Sequence, residues 1–114
     1  MNETEIPILK KSYDLYKLFH ECRKLVPKLD RYTVWERSEN ALLDMLECLF
    51  TASYAKPSDK HMLLERGSAK LNLFRFLVRL MKDTNSIDSK KYLLLQNPVD
   101  EIGRMLGGWI RSQK

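Results

Sequence analysis

Apolar residues return every three or four positions in four successive stretches, the period of a helix that buries one side. In the first stretch Ile8, Leu15, Leu18, Phe19, Cys22, Leu25 and Val26 share an arc, while Lys10, Lys17 and Lys24, spaced by seven, line the opposite side. Pro7 suits a first-turn position and Pro27 stops the chain, so a helix is expected over roughly 7–25. The second opens at Thr33-Val34-Trp35-Glu36, a capping-box spacing in which Thr33 and Glu36 satisfy each other's backbone donors. Its buried side is expected to be Trp35, Leu42, Met45, Leu46, Leu49, Phe50 and Ala52, with Arg37, Asn40, Asp44, Glu47 and Thr51 in water. It ends near Tyr54, before the turn Ala55-Lys56-Pro57-Ser58-Asp59.

Ser58 or Asp59 is expected to cap a third helix that runs to about Asp83, with Met62, Leu63, Leu73, Phe74, Phe76, Leu77, Leu80 and Met81 on its apolar side. Gly67 costs up to ~1 kcal/mol of helix propensity against Ala, so it marks a tight packing point or a local weakness. Thr84 to Asp88 form the third turn. In the last stretch Asn97-Pro98-Val99-Asp100-Glu101 reads as a fresh helix start, yet Tyr92, Leu94 and Leu95 keep phase with Val99, Ile102, Leu106 and Trp109. One helix over about 89–112, kinked at Pro98 where the Leu94 carbonyl loses its usual partner, is the expectation; two short helices are the alternative. Short connections make sequential helices antiparallel neighbours. The pattern therefore predicts an all-α protein, an antiparallel up-down-up-down four-helix bundle forming a single domain over 1–114.

Composition agrees. A chain of 114 residues suits one domain, and 44% hydrophobic with 31% charged residues fills a modest core and stays soluble. Four Gly and four Pro are too few turn-formers for an all-β chain. No run approaches the ~18–20 apolar residues of a membrane span. The acidic start Met1-Asn2-Glu3-Thr4-Glu5 argues against a signal peptide. Cys22 and Cys48 lack CxxC spacing and read as reduced core thiols. A cytoplasmic protein of bacterial style is expected.

Catalytic chemistry finds no support. His20 precedes Cys22 by two residues, which sets their side chains about 200° apart on a helix. Neither His20 nor His61 has the Glu three residues earlier that a di-metal bundle requires. Gly107-Gly108 belongs to no phosphate-loop sequence, and Glu36, Asp44 and Glu47 fall on a polar face. A non-enzyme without cofactor or metal is expected.

Charge geography is more informative. The net charge is +5; residues 31–55 carry 2 basic and 4 acidic groups, residues 56–85 carry 7 and 3, and residues 86–114 add +2. In the third helix Arg75, Arg79 and Lys82 project together away from the apolar arc, whereas Arg66 and Lys70 fall inside it. These five make a candidate track for nucleic-acid phosphates, with a solvated, salt-bridged face as the competing reading. Along the first helix Asp14 and Glu21 interleave with the lysines at neutralising spacing. In Ile102-Gly103-Arg104-Met105-Leu106-Gly107-Gly108-Trp109-Ile110 the three glycines are costly for a helix, and Gly103 and Gly107 lie four apart on the flank of the apolar arc. Gly103, Gly107 and Trp109 are candidates for an oligomer interface, against packing within the chain.

Three stretches carry a resemblance: Pro27-Lys28-Leu29-Asp30-Arg31-Tyr32-Thr33-Val34, Lys70-Leu71-Asn72-Leu73-Phe74-Arg75-Phe76-Leu77, and Ile102-Gly103-Arg104-Met105-Leu106-Gly107-Gly108-Trp109. Through them nearly the full chain resembles the Avd-like four-helix-bundle family, the accessory variability determinants of diversity-generating retroelements. Relatives are encoded in intervening sequences of bacterial large-subunit ribosomal RNA genes. The resemblance implies a homopentamer of bundles forming a basic barrel, association with a reverse transcriptase, nucleic-acid (RNA or DNA) binding during cDNA synthesis, and no catalytic site. The ribosomal branch implies the same bundle acting as a structural or protein-interaction oligomer without nucleic-acid binding. Pro98 departs from the family pattern.

Overall fold

The computed structural model describes residues 5–113; the start Met1–Thr4, whose acidity argued against a signal peptide, and Lys114 lie outside them. The described residues form four long α-helices and one short one: α1 (Glu5–Cys22), α2 (Lys28–Arg31), α3 (Val34–Tyr54), α4 (Pro57–Asp83) and α5 (Ser89–Ser112). Among the described residues there is no strand. Among the described residues no helix is long and apolar enough to cross a membrane.

The helix ends follow from local chemistry, though not always the chemistry expected. A single 3₁₀ turn, Arg23–Leu25, closes α1, and Val26 then takes the extended backbone that a following proline imposes. The four-residue α2 follows Pro27 directly, an element the periodicity did not predict. Thr33 sits at the N-cap of α3, but the capping box is absent. Its hydroxyl instead donates to the carbonyls of Leu29 and Asp30 at the end of α2. The start of α4 also differs: Pro57 is its first residue and Lys56 its N-cap, so Ser58 and Asp59 lie inside the helix. In the next turn Asn85 takes a left-handed backbone (φ 64°), a conformation its short amide side chain tolerates. Asp88 caps α5 by accepting from the Lys91 amide at 2.8 Å. Helix α5 then runs through Pro98 without a break.

One apolar cluster joins all four long helices. Phe19 of α1 stacks on Trp35 of α3 at 5.1 Å and meets Phe74 of α4 edge-on at 5.0 Å. From α5, Leu95, Val99, Ile102, Leu106 and Trp109 enter in alternating steps of four and three. Side chains of this size contribute about 1.5–3 kcal/mol each when fully buried, so the cluster dominates stability. Side chains meet across the helices: Ser38 meets Met81 and Lys70 meets Asp44 between α3 and α4, Lys11 of α1 reaches Glu101 of α5, and Tyr16 of α1 reaches Glu39 of α3. The molecule measures 43 × 21 × 19 Å, close to the ~40 Å length of its longest helix.

Burial corrects the expected arcs at their edges in three helices and over half of the arc in the fourth, where Phe74 and Met81 are buried and Leu63 and Leu77 pack against the core as expected. Leu25, Phe50 and Leu94, placed in the core by periodicity, are exposed. In α4 the core side is Leu64, Gly67, Leu71, Phe74, Val78 and Met81, while Met62, Leu73, Phe76 and Leu80 face solvent. The expected arc was rotated because it averaged two apolar stripes on opposite sides of one helix. Gly67 is the tight packing point: a Cβ there would stand 3.2 Å from Leu49 Cδ2.

Candidate nucleic-acid interface

The rotation of α4 changes where its cations point. Arg66 is exposed beside a groove shared with Asp44, Glu47, Thr51 and Lys70, on the α3 side. Lys70 spans that groove to Asp44 at 3.3 Å. Both therefore flank the core seam instead of lying within the apolar arc. Arg75, Arg79 and Lys82 sit on the other side, toward α5. Arg75 pairs with Asp100 of α5, and Lys82 Nζ rests 5.0 Å from the centre of the Tyr92 ring. The five residues thus form two groups on opposite flanks of α4, not one continuous track.

Three of the five are held by carboxylates. Besides Lys70 and Arg75, Arg79 donates Nε to both oxygens of Asp83 at 3.2 Å. The Asp83 carboxylate and the Tyr92 hydroxyl stabilise the charged guanidinium, holding its pKa above the usual arginine value. The Lys70 and Arg79 pairs are solvent-facing contacts, whose net strength is small and which a polyanion can displace. Arg75 is more confined: its Nε is buried and finds no partner among the described residues.

The three C-terminal candidates have neighbours within the chain. Gly103 makes room for an arginine rather than for a second backbone; a Cβ there would stand 3.0 Å from Arg75 Nη2. The space beside Gly107 is occupied by Arg111, 3.4 Å from where a Cβ would lie. Trp109 is buried in the core of its own chain.

His20 stacks on Tyr16, and His61 lies 3.7 Å from Glu65. Burial pushes the thiols of Cys22 and Cys48 up, so both stay protonated and unreactive at neutral pH. Burial, then the bond to Glu39, likewise raises the pKa of Tyr16.

A second basic region lies at the end of the bundle, in residues that the sequence places in the last turn of the first helix and in the connection after it. His20, Glu21, Arg23, Lys24 and Arg31 line a cleft of about 320 Å³. Arg31 is anchored through carbonyls, donating Nε to Val26 at 2.9 Å, and Arg23 lies over the rings of Tyr32 and Trp35. Among the described residues Arg23, Lys28 and Arg31 have no carboxylate partner, and Tyr32 beside them is 70% exposed. The available signal was Lys28-Leu29-Asp30-Arg31-Tyr32, in which cations and an aromatic crowd a segment too short to bury them.

Among the described residues no group of three or more His, Cys, Asp and Glu side chains could hold a metal ion. No curated protein matches this chain. A family model described as bAvd-like matches residues 6–113, from the first helix to the end of α5, so the chain belongs to the bAvd-like family.

Proposed function

We propose that this protein is a non-enzymatic accessory of a diversity-generating retroelement, binding RNA or DNA and a reverse transcriptase through basic surfaces of a homo-oligomer. Its helices form an up-down-up-down bundle, and it works in the bacterial cytoplasm. The bAvd-like match over residues 6–113 carries this reading. The net charge of +5 supports it, as do the cations that have no carboxylate partner among the described residues: Arg23, Lys28 and Arg31 at the bundle end, with Arg66 and Lys82 on α4. An exposed tyrosine among arginines is the kind of platform on which an unpaired base stacks.

Gel retardation of single-stranded RNA and DNA across 50–200 mM salt tests it. Affinity is expected to fall steeply with salt as counterions are released. Reversing Arg23 and Arg31 to Glu should abolish retention with helicity unchanged by circular dichroism. Reversing Arg75 and Arg79 should weaken it less, since Asp100 and Asp83 already neutralise them. Equal retention by wild type and both double variants at low and moderate salt would refute the assignment.

The ion pairs on Lys70, Arg75 and Arg79 favour a second reading, the ribosomal intervening-sequence type acting as an interaction oligomer without nucleic acid. Genomic neighbourhood separates the two. A reverse transcriptase gene with a template repeat supports the first, and an interrupted ribosomal RNA gene supports the second.

A further inference from the structure

Helix α4 carries two apolar seams. The first, Leu64, Gly67, Leu71, Phe74, Val78 and Met81, is buried in the bundle. The second, Met62, Ala69, Leu73, Phe76 and Leu80, advances by seven, four, three and four residues, the spacing of a helix-packing stripe, and is exposed. Phe76 alone is 67% exposed.

A different apolar patch straddles α1 and α3. The hydrogen bond from Tyr16 to Glu39, 2.9 Å, marks the side of α3 that meets α1. Leu43 and Phe50 follow Glu39 by four and eleven residues on that side, and Tyr13 precedes Tyr16 by nearly one turn. Phe50 packs on Tyr54 with ring centres 5.3 Å apart, and all four side chains are exposed. Helix α4 touches the other flank of α3, through Asp44 and Cys48, so the two patches are separate.

We infer that the exposed seam of α4 seats on the α1–α3 patch of a second copy of this chain, a head-to-tail contact. The inference takes from the proposed function only that the protein is a homo-oligomer, and it names the two faces. Each patch has four large side chains of about 200 Å² apiece, roughly half exposed, which leaves roughly 400 Å² of apolar surface. That is the size of the largest patch on a monomer, and two such patches pressed together supply the apolar centre of a standard interface of about 1,600 Å². Self-pairing of either patch would leave the other in water. One heterologous contact covers both.

The test is a mixing experiment on the full chain, using light scattering coupled to size exclusion. Phe76→Glu poisons the α4 seam and Phe50→Glu poisons the α1–α3 patch; Leu80→Glu and Leu43→Glu are the reserve pair if circular dichroism shows that a first-choice variant has lost its helices. Wild type is expected to be oligomeric and each single variant monomeric. An equimolar mixture of the two variants should give a species of twice the monomer mass and nothing larger, because each retains the face that the other lacks. Dimers from either single variant, no new species on mixing, or a monomeric wild type would each overturn the contact. A wild type that binds no RNA or DNA but shows the mixing result refutes the proposed function and leaves the contact standing.

Discussion

Helices α4 and α5 lie against each other and differ in length by only three residues, 27 against 24, yet they are built on different plans. In α5 the large apolar side chains are concentrated on one stripe, from Leu95 to Trp109, and most of the opposite side is polar or glycine. In α4 two stripes divide the apolar residues, and the cations fill the flanks between them. A helix with one stripe needs only its own bundle. The second stripe of α4 stays exposed among the described residues, and α4 also carries the five cations that are candidates for phosphate contacts. The contrast separates what holds the monomer together from what is left over for encounters.

The largest expected effect comes from two phenylalanines on α4, two residues apart. Phe74 is fully buried and meets Phe19 edge-on. Phe74→Ala should lower stability by about 3–5 kcal/mol, the range for removing a buried aromatic ring. Phe76→Ala should change it by less than about 0.5 kcal/mol, as surface substitutions do. Urea unfolding of both variants, at a concentration low enough to keep copies apart, checks the pair. A large loss at Phe76 would mean that the second stripe is a core stripe after all.

That pair also explains what could be read without coordinates. One stripe makes α5 legible: Leu95, Val99, Ile102 and Leu106 share a phase by spacing alone and are buried, Leu94 in the same phase is exposed, and Trp109, in phase but offered as an oligomer contact, is buried in its own chain. In α4 the spacing supports Phe74 and Phe76 equally, and the choice depends on where α1, α3 and α5 sit. The same holds for charge. Arg75 and Lys70 find their carboxylates 25 and 26 residues away, on other helices, while the local pairs Lys10–Asp14 and Lys24–Glu21 were visible as i,i+4 and i,i+3 spacings. The capping box failed for a related reason. Thr33 and Glu36 have the right spacing, but the unpredicted α2 places two carbonyls nearer to the Thr33 hydroxyl.

Glycines sharpen the contrast at about 1 kcal/mol. In α4, Gly67 faces Leu49 Cδ2 and Cys48 Cβ, 3.2 and 3.4 Å from an added Cβ, and both side chains are buried. Gly67→Ala should therefore destabilise by about 1 kcal/mol, overpacking outweighing the gain in propensity. In α5 an added Cβ at Gly107 or Gly108 meets only the mobile end of Arg111, at 3.4 and 3.9 Å. Alanine at either position should stabilise by up to ~1 kcal/mol, since the helix gains propensity and displaces nothing rigid. Opposite shifts in thermal midpoint are the expected result. Equal shifts would remove the distinction between a packed glycine and a tolerated one.

The smallest effect on stability falls at Arg79, and it bears most directly on function. Of the two carboxylates that hold arginines along the α4–α5 border, Asp100 comes from α5, whereas Asp83 belongs to α4 itself and sits four residues beyond Arg79. An exposed pair within one helix contributes little to folding, so Asp83→Asn should leave the unfolding midpoint where it is. It removes one negative charge and releases the Arg79 guanidinium toward solvent. If basic surface binds polyanions, retention of RNA or DNA should rise, and the slope of log affinity against log salt should steepen by about one counterion. Asp100→Asn does not offer the same release: the Arg75 side chain stays wedged beside Gly103, with its Nε buried. Its stability should fall while retention stays near that of wild type. Salt slopes in both variants equal to that of wild type would show that neither arginine meets phosphate, leaving the bundle end around Arg23 and Arg31 to account for any binding.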